Sequence, residues 1–248
     1  MTTSAVLFDL FDTLVVFDRD RLPELTLNGR TVRSTAALVH EVLAAHVSGV
    51  DLPVFADALA WSWREAERVR DETHREVSAH ERYGLVFQRL GMDPAALPPG
   101  LVTALLERHM RELARAVYCP PHHRALLESL RKRHRLAVVS NFDYTPTAEL
   151  ILEREGLTPL FDTVVVSDAV GWRKPKAVIF ELALGRLEAQ AADALFVGDR
   201  VDIDVAGAHG VGMRAAWINR AGDALPAGFA PPDYEIRDLA ELAPILGA

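Results

Sequence analysis

Two textures alternate along the chain. Residues 5–8 (AVLF) are four apolar positions closed by Asp9, the pattern of a strand buried on both faces whose C-terminal end carries a carboxylate. The same form returns at 136–140 (LAVVS), 163–167 (TVVVS), 194–198 (ALFVG) and 214–218 (RAAWI). Helical periodicity occupies 121–133, 145–155, 176–188 and 202–209. Apolar runs alternating with helices in this way predict βαβ units, hence a doubly wound, mainly parallel α/β sheet covered by helices on both faces.

Residues 17–118 break that rhythm. They contain no convincing strand and at least three amphipathic helices. Leu38, Val39, Val42, Leu43 and His46 mark one apolar face; Phe55, Leu59, Trp63 and Ala66 a second; Val102, Leu105, Leu106, Met110, Leu113 and Val117 a third. Trp63 is expected to pack, whereas Trp61 faces another side of its helix. Breaks fall at Asn28-Gly29 and at Leu97-Pro98-Pro99-Gly100. The reading is an α/β core of 1–16 and 119–248 carrying an all-helical insert of 17–118.

Composition narrows the classes. Half of the 248 residues are hydrophobic and a quarter charged, which excludes disorder and low-complexity sequence. The charge of 27 Lys+Arg against 35 Asp+Glu, net −8, disfavours nucleic acid and anionic membranes as partners. A small anionic substrate needs only a few donors and stays open. The basic run Arg131–Arg135 suits a helix C-terminus. The single cysteine, Cys119, forms neither an internal disulfide nor a thiolate cage. No apolar run reaches the roughly 18 residues of a membrane span, and MTTSAVLFDL has no basic leader, so a soluble cytoplasmic protein is expected.

Ligand sites of open α/β sheets lie at the carboxyl ends of the strands. Those positions hold Asp9, Ser140 and Asp199, while Lys174 follows the third core strand. Each has an ordinary explanation: Asp9 as a turn or helix cap, Ser140 as a turn residue, Lys174 as a solvated amine. Asp199 and Asp204 could cap a helix starting near Val201. Their joint occurrence at successive strand ends outweighs these. Two carboxylates, a hydroxyl and an ammonium on one rim suit displacement on an anionic substrate. A carboxylate can attack and form a covalent ester, and a hard divalent cation can screen it from the substrate's charge. The hydroxyl and amine can stabilise the transition state.

The segments Phe8-Asp-Leu-Phe-Asp-Thr-Leu14, Val138-Val-Ser-Asn141, Gly171-Trp-Arg-Lys-Pro175 and Val197-Gly-Asp-Arg-Val-Asp-Ile-Asp204 resemble the four ordered motifs of the haloacid dehalogenase (HAD) superfamily. The insert resembles that superfamily's first type of helical cap. The resemblance implies a HAD-like Rossmannoid core, with Asp9 as nucleophile and Ser140 as donor to the substrate anion, aided by Asn141. Lys174 would stabilise charge and restrain Asp9. Mg2+ would be bound by Asp9, the main-chain carbonyl of Phe11 and Asp199, with Asp204 orienting Lys174 or a metal-bound water.

One departure bears on the reaction. Family phosphatases usually carry an acid–base Asp two residues after the nucleophile, where this chain has Phe11. Asp12 replaces the small residue common at the next position, and its side chain should point elsewhere. General acid–base catalysis is worth roughly 10²–10⁴-fold, so a phosphatase lacking it should be slow or choose good leaving groups. The superfamily's 2-haloacid dehalogenases carry an aromatic residue there and need no metal, since halide leaves unprotonated. Asp199 argues the other way, because beside Asp9 without a cation it would set like charges together. The expected activity is Mg2+-dependent hydrolysis of a small phosphate monoester. The alternatives are C–X cleavage of a haloacid and phosphate binding with little turnover. The glycines of Gly207–Gly212 read as a helix-ending turn, not a dinucleotide loop.

Overall fold

The computed structural model describes residues 3–27 and 29–247. The chain divides into two compact units, one formed by Met1–Phe17 with Tyr118–Ala248 and the other by Asp18–Val117.

The first unit is built on six strands: β1 (Ala5–Phe8), β2 (Arg135–Ser140), β3 (Thr163–Val166), β4 (Ala194–Gly198), β5 (Arg214–Ile218) and β6 (Tyr234–Ile236). Their order across the sheet is β6-β5-β4-β1-β2-β3, and every neighbouring pair is parallel. All four residues of β1 are fully buried, as a strand covered on both faces requires. On one face Leu7, Val139 and Phe196 meet Ile179, Phe180 and Ala183 of the helix Ala177–Leu187. Phe180 and Phe196 stack edge to face at 5.1 Å, each large side chain contributing about 1.5–3 kcal/mol by leaving water.

From β1 the chain winds outward through β2 and β3, then crosses to β4 on the other side of β1. In open sheets of this kind, such a reversal marks the carboxyl ends of the central strands as the place where ligands bind. Asp9 follows Phe8, which pairs with Val138 on one side and Val197 on the other.

The turn predicted over Gly207–Gly212 is present: the short helix Ala206–Gly210 ends ahead of Gly212, which has φ +82°. β6 was not marked by any apolar run, being three residues long with only Ile236 buried.

The second unit carries the helices Ala36–Ala44, Leu52–Thr73, Ala79–Arg89 and Leu101–Arg115. Its interior takes Val39, Leu43, Phe55, Leu59, Tyr83, Phe87, Leu105 and Met110. Three expectations are corrected here. The segment is not free of strands, because Glu24–Leu27 and Arg30–Arg33 form an antiparallel hairpin. Only Leu25 in it is buried, so it shows no apolar run. It is held instead by cross-strand pairs, Glu24 with Arg33 at 3.0 Å and the Thr26 and Thr31 hydroxyls at 2.9 Å. Its turn includes Gly29 at φ +76°, while Asn28 lies outside the described residues. His46 is exposed beyond the end of its helix.

Trp63 does not pack inside: it is 47% exposed. The buried stripe of its helix runs through Phe55, Ala58, Leu59, Ser62, Ala66 and Arg70, leaving Trp63 at the margin. There the guanidinium groups of Arg70 and Arg82 lie 5.2 and 5.4 Å from its ring centre.

No helix among the described residues is long and apolar enough to cross a membrane.

Candidate active site

Asp9, Asp199 and Asp204 each bring a carboxylate oxygen within 4.8 Å of the others. Lys174 joins them from the loop after β3. Its Nζ lies 2.7 Å from Asp9 Oδ1 and 2.8 Å from Asp204 Oδ1, with the lysine side chain 1% exposed. One ammonium thus sits between two acids, and a third acid stands beside them.

The loop around Lys174 is fixed by Asn141, whose Oδ1 accepts from the Lys174 main-chain N–H at 2.8 Å and whose Nδ2 donates to its carbonyl at 3.0 Å. The end of β2 and the lysine loop are thereby tied like neighbouring strands. Asp204 is set by the wide helical turn Val201–Val205, and its Oδ2 accepts from the Arg200 main-chain N–H at 3.0 Å. Gly198 makes room for it, since a Cβ there would stand 2.3 Å from Asp204 Oδ2. The indole Nε1 of Trp217 donates to the Asp199 carbonyl at 2.9 Å.

Ser140, the last residue of β2, is fully buried, and its Oγ has no hydrogen-bond partner among the described residues. Thr13 Oγ1 is in the same condition. A buried hydroxyl left unpaired costs about 1–3 kcal/mol, and both of these lie close to Asp9 in the fold, Ser140 at the end of the strand next to β1 and Thr13 in the loop after Asp9. Phe11 is turned into an aromatic group, 4.8 Å from Phe142 and 6.4 Å from Phe17 between ring centres.

Electrostatics follow from burial and crowding. Burial pushes the Asp9 carboxyl up to about 6; Lys174 opposes this and Asp204 adds to it. Asp199 is pushed up to about 7, first by burial and then by the charges of Asp9, Asp204 and Asp12. Burial would lower Lys174, but Asp204 and Asp9 outweigh it and hold the ammonium above the usual lysine value. One lysine cannot neutralise three acids. The all-oxygen donor set fits a hard divalent cation such as Mg2+.

The structure therefore brings Asp9, Lys174, Asp199 and Asp204 into one group, places Asn141 on the backbone of Lys174, and leaves the Ser140 hydroxyl free. The braces of the loop after Asp9 were missed in the sequence. Arg220 donates to the carbonyls of Asp12 and Thr13, and His123 Nδ1 lies 2.8 Å from the Leu14 carbonyl. Their targets are main-chain oxygens, which leave no pattern in a sequence.

With this geometry in place, the comparisons with known proteins are specific. The family model of haloacid dehalogenase-like hydrolases matches residues 3–212. Ribulose-1,5-bisphosphate 5-phosphatase of Halopiger xanaduensis is 34% identical over 221 residues, 87% of this chain and 84% of that protein. Glyceraldehyde 3-phosphate phosphatase of Methanopyrus kandleri is 29% identical over 217 residues, with the same two coverages of 87% and 84%. Among solved structures, a 2-haloacid dehalogenase from Pseudomonas syringae pv. Tomato superposes with a TM-score of 0.75 at 26% identity, covering 99% of each chain.

Proposed function

The chain belongs to the haloacid dehalogenase-like hydrolases, and from that premise we propose that it hydrolyses a small phosphate monoester with Mg2+ through an aspartyl phosphate on Asp9. The observation that carries the reading is the crowding of Asp199 against Asp9 and Asp204 with a single ammonium among them. Asp9, Asp199 and the Phe11 carbonyl would hold the cation, with Asp204 orienting its surroundings. When bound, Mg2+ would supply the charge that screens these carboxylates from the phosphate and polarises the phosphoryl group.

The protein's own groups divide the rest of the work. Lys174 holds Asp9 ionised and aligned by the 2.7 Å contact, and its ammonium balances charge gathering on the phosphoryl oxygens. Ser140 Oγ donates to one of those oxygens, alongside Asn141, which also keeps Lys174 in place. Asp9 Oδ attacks phosphorus, the ester P–O bond breaks, and the leaving oxygen departs with the bonding pair. Water then attacks the aspartyl phosphate, releasing inorganic phosphate and the free Asp9. Phe11 has no proton to give, so the leaving oxygen takes one from solvent and substrates with good leaving groups turn over fastest. The phosphatase relatives, named for small sugar-phosphate substrates, support the substrate class.

A second reading, hydrolysis of a 2-haloacid, draws support from Phe11, because a departing halide needs no proton, and from the likeness to the Pseudomonas syringae dehalogenase. It leaves the Asp9–Asp199 crowding without a purpose.

Release of p-nitrophenol from its phosphate ester is expected with Mg2+ and expected to stop in EDTA. Turnover untouched by EDTA overturns the metal-dependent reading. Halide release from 2-chloropropionate that persists in EDTA establishes the second. Equal background activity in wild type and Asp9→Asn, with phosphate still raising the melting temperature, would make the protein a phosphate binder without turnover.

A further inference from the structure

Away from the acidic group, two adjacent histidines open the helix Pro121–Leu130. A carboxylate 116 residues later in the chain meets them. His122 Nε2 lies 3.0 Å from each Asp238 oxygen. His123 is 1% exposed, and the two imidazoles stand edge to face with centres 4.6 Å apart. One ring nitrogen from each histidine and an Asp238 oxygen all fall within 4.8 Å of one another.

We propose that His122, His123 and Asp238 form a second divalent-metal site, suited to a borderline transition ion such as Zn2+ and separate from the oxygen-only group at Asp9 and Asp199.

Three arguments carry it. Imidazole nitrogens favour zinc-like ions, whereas Mg2+ favours oxygen. Two histidines and a carboxylate are a common three-ligand set, which leaves a fourth position to solvent; His122 and Asp238, half exposed at 50% and 45%, provide the open side. The third argument is independent of the cluster. His123 turns Nδ1 toward the Leu14 carbonyl at 2.8 Å, the outer hydrogen bond typical of a metal-binding histidine. That bond sets Nδ1 as the donor and leaves the lone pair on Nε2. Nε2 has no hydrogen-bond partner among the described residues. A bound ion would take the place of the proton His122 shares with Asp238, that proton passing to Nδ1 of the same ring. The ion would also reach the catalytic loop directly, because His123 grips Leu14, five residues after Asp9.

Co2+ serves as the probe, titrated into the whole protein with Mg2+ in large excess to occupy the oxygen-only group. A visible d–d band saturating at one equivalent is expected in wild type and in Asp199→Asn. It should be lost in His122→Ala and in Asp238→Asn. His122 is half exposed, so its alanine variant should fold, and its melting curve in Mg2+ checks this. Failure of the proposed phosphatase reaction would leave these results unaffected. No band in wild type overturns the site, as does a band that survives His122→Ala or vanishes in Asp199→Asn.

Discussion

If Asp199 is held as a metal ligand at the expense of the fold, removing its charge should make the metal-free protein more stable. Its carboxyl is pushed from 3.8 up to about 7, with burial the largest cause. About three pH units at roughly 1.4 kcal/mol each correspond to ~4 kcal/mol. Solvent and counterions reach the group in part, and halving the figure for their screening leaves about 2 kcal/mol. The sign is fixed by linkage. The folded chain keeps this proton to higher pH than the unfolded chain does, so the stabilisation is complete below about pH 4 and is lost as pH rises toward 7. Asn carries no proton to lose. Thermal melts in EDTA should therefore diverge with pH, Asp199→Asn standing about 4–8 °C above wild type at pH 8, taking roughly 2–4 °C per kcal/mol for a chain of this length. The gap should close toward pH 4. Adding Mg2+ should raise the wild type and leave the variant unmoved. A wild type at least as stable as the variant in EDTA at pH 8, or equal Mg2+ stabilisation of both, would refute the reasoning.

Three other substitutions probe separate parts of the site. Ser140→Ala should lower kcat by about 10²-fold, the loss expected for one transition-state donor, while the melting temperature holds or rises by a few degrees, because the buried hydroxyl has no hydrogen bond among the described residues to lose and costs about 1–3 kcal/mol unpaired. A stability loss as large as the activity loss would count against that. Phe11→Asp should restore leaving-group protonation and raise turnover of an alkyl phosphate by at least about 10²-fold, more than that of p-nitrophenyl phosphate. It should cost about 1 kcal/mol from the contact with Phe142, and equal gains on both substrates would show that protonation was not limiting. Gly198→Ala would place a methyl group 2.3 Å from Asp204 Oδ2. Displacing Asp204 from Lys174 should cost about 3–5 kcal/mol, as breaking one side of a buried ion pair does; a denaturant midpoint like that of wild type would refute it.

What was legible in the sequence has a physical boundary. The sheet could be read because β1, β2 and β4 are buried on both faces and so write themselves as unbroken apolar runs. Strand ends in such a sheet are ligand positions, which directed attention to Asp9, Ser140 and Asp199. The Glu24–Arg33 hairpin could not be read this way, since polar cross-strand pairs hold it. Nor could Asn141's part in fixing Lys174, because a carboxamide bonded to main chain looks in sequence like any turn residue.

Position 12 shows where the two kinds of information meet. The sequence marked Asp12 as an acid in a place usually small, next to a phenylalanine in a place usually acidic, with a side chain expected to point away from the position Phe11 leaves without an acid. The backbone shows what that side chain does. Asp12 has φ +54°, in the left-handed region where glycine is at ease and other residues are not. Asp tolerates it because its short side chain can hydrogen-bond locally, and Oδ1 accepts from the Phe17 N–H at 3.1 Å. Arg220 secures the carbonyls of Asp12 and Thr13 from outside. The carboxylate is thus spent on closing the loop after Asp9, in the role a glycine fills by conformation alone. An acid committed to that bond is poorly placed to move a proton for the substrate, so the loss at Phe11 is not made good by its neighbour.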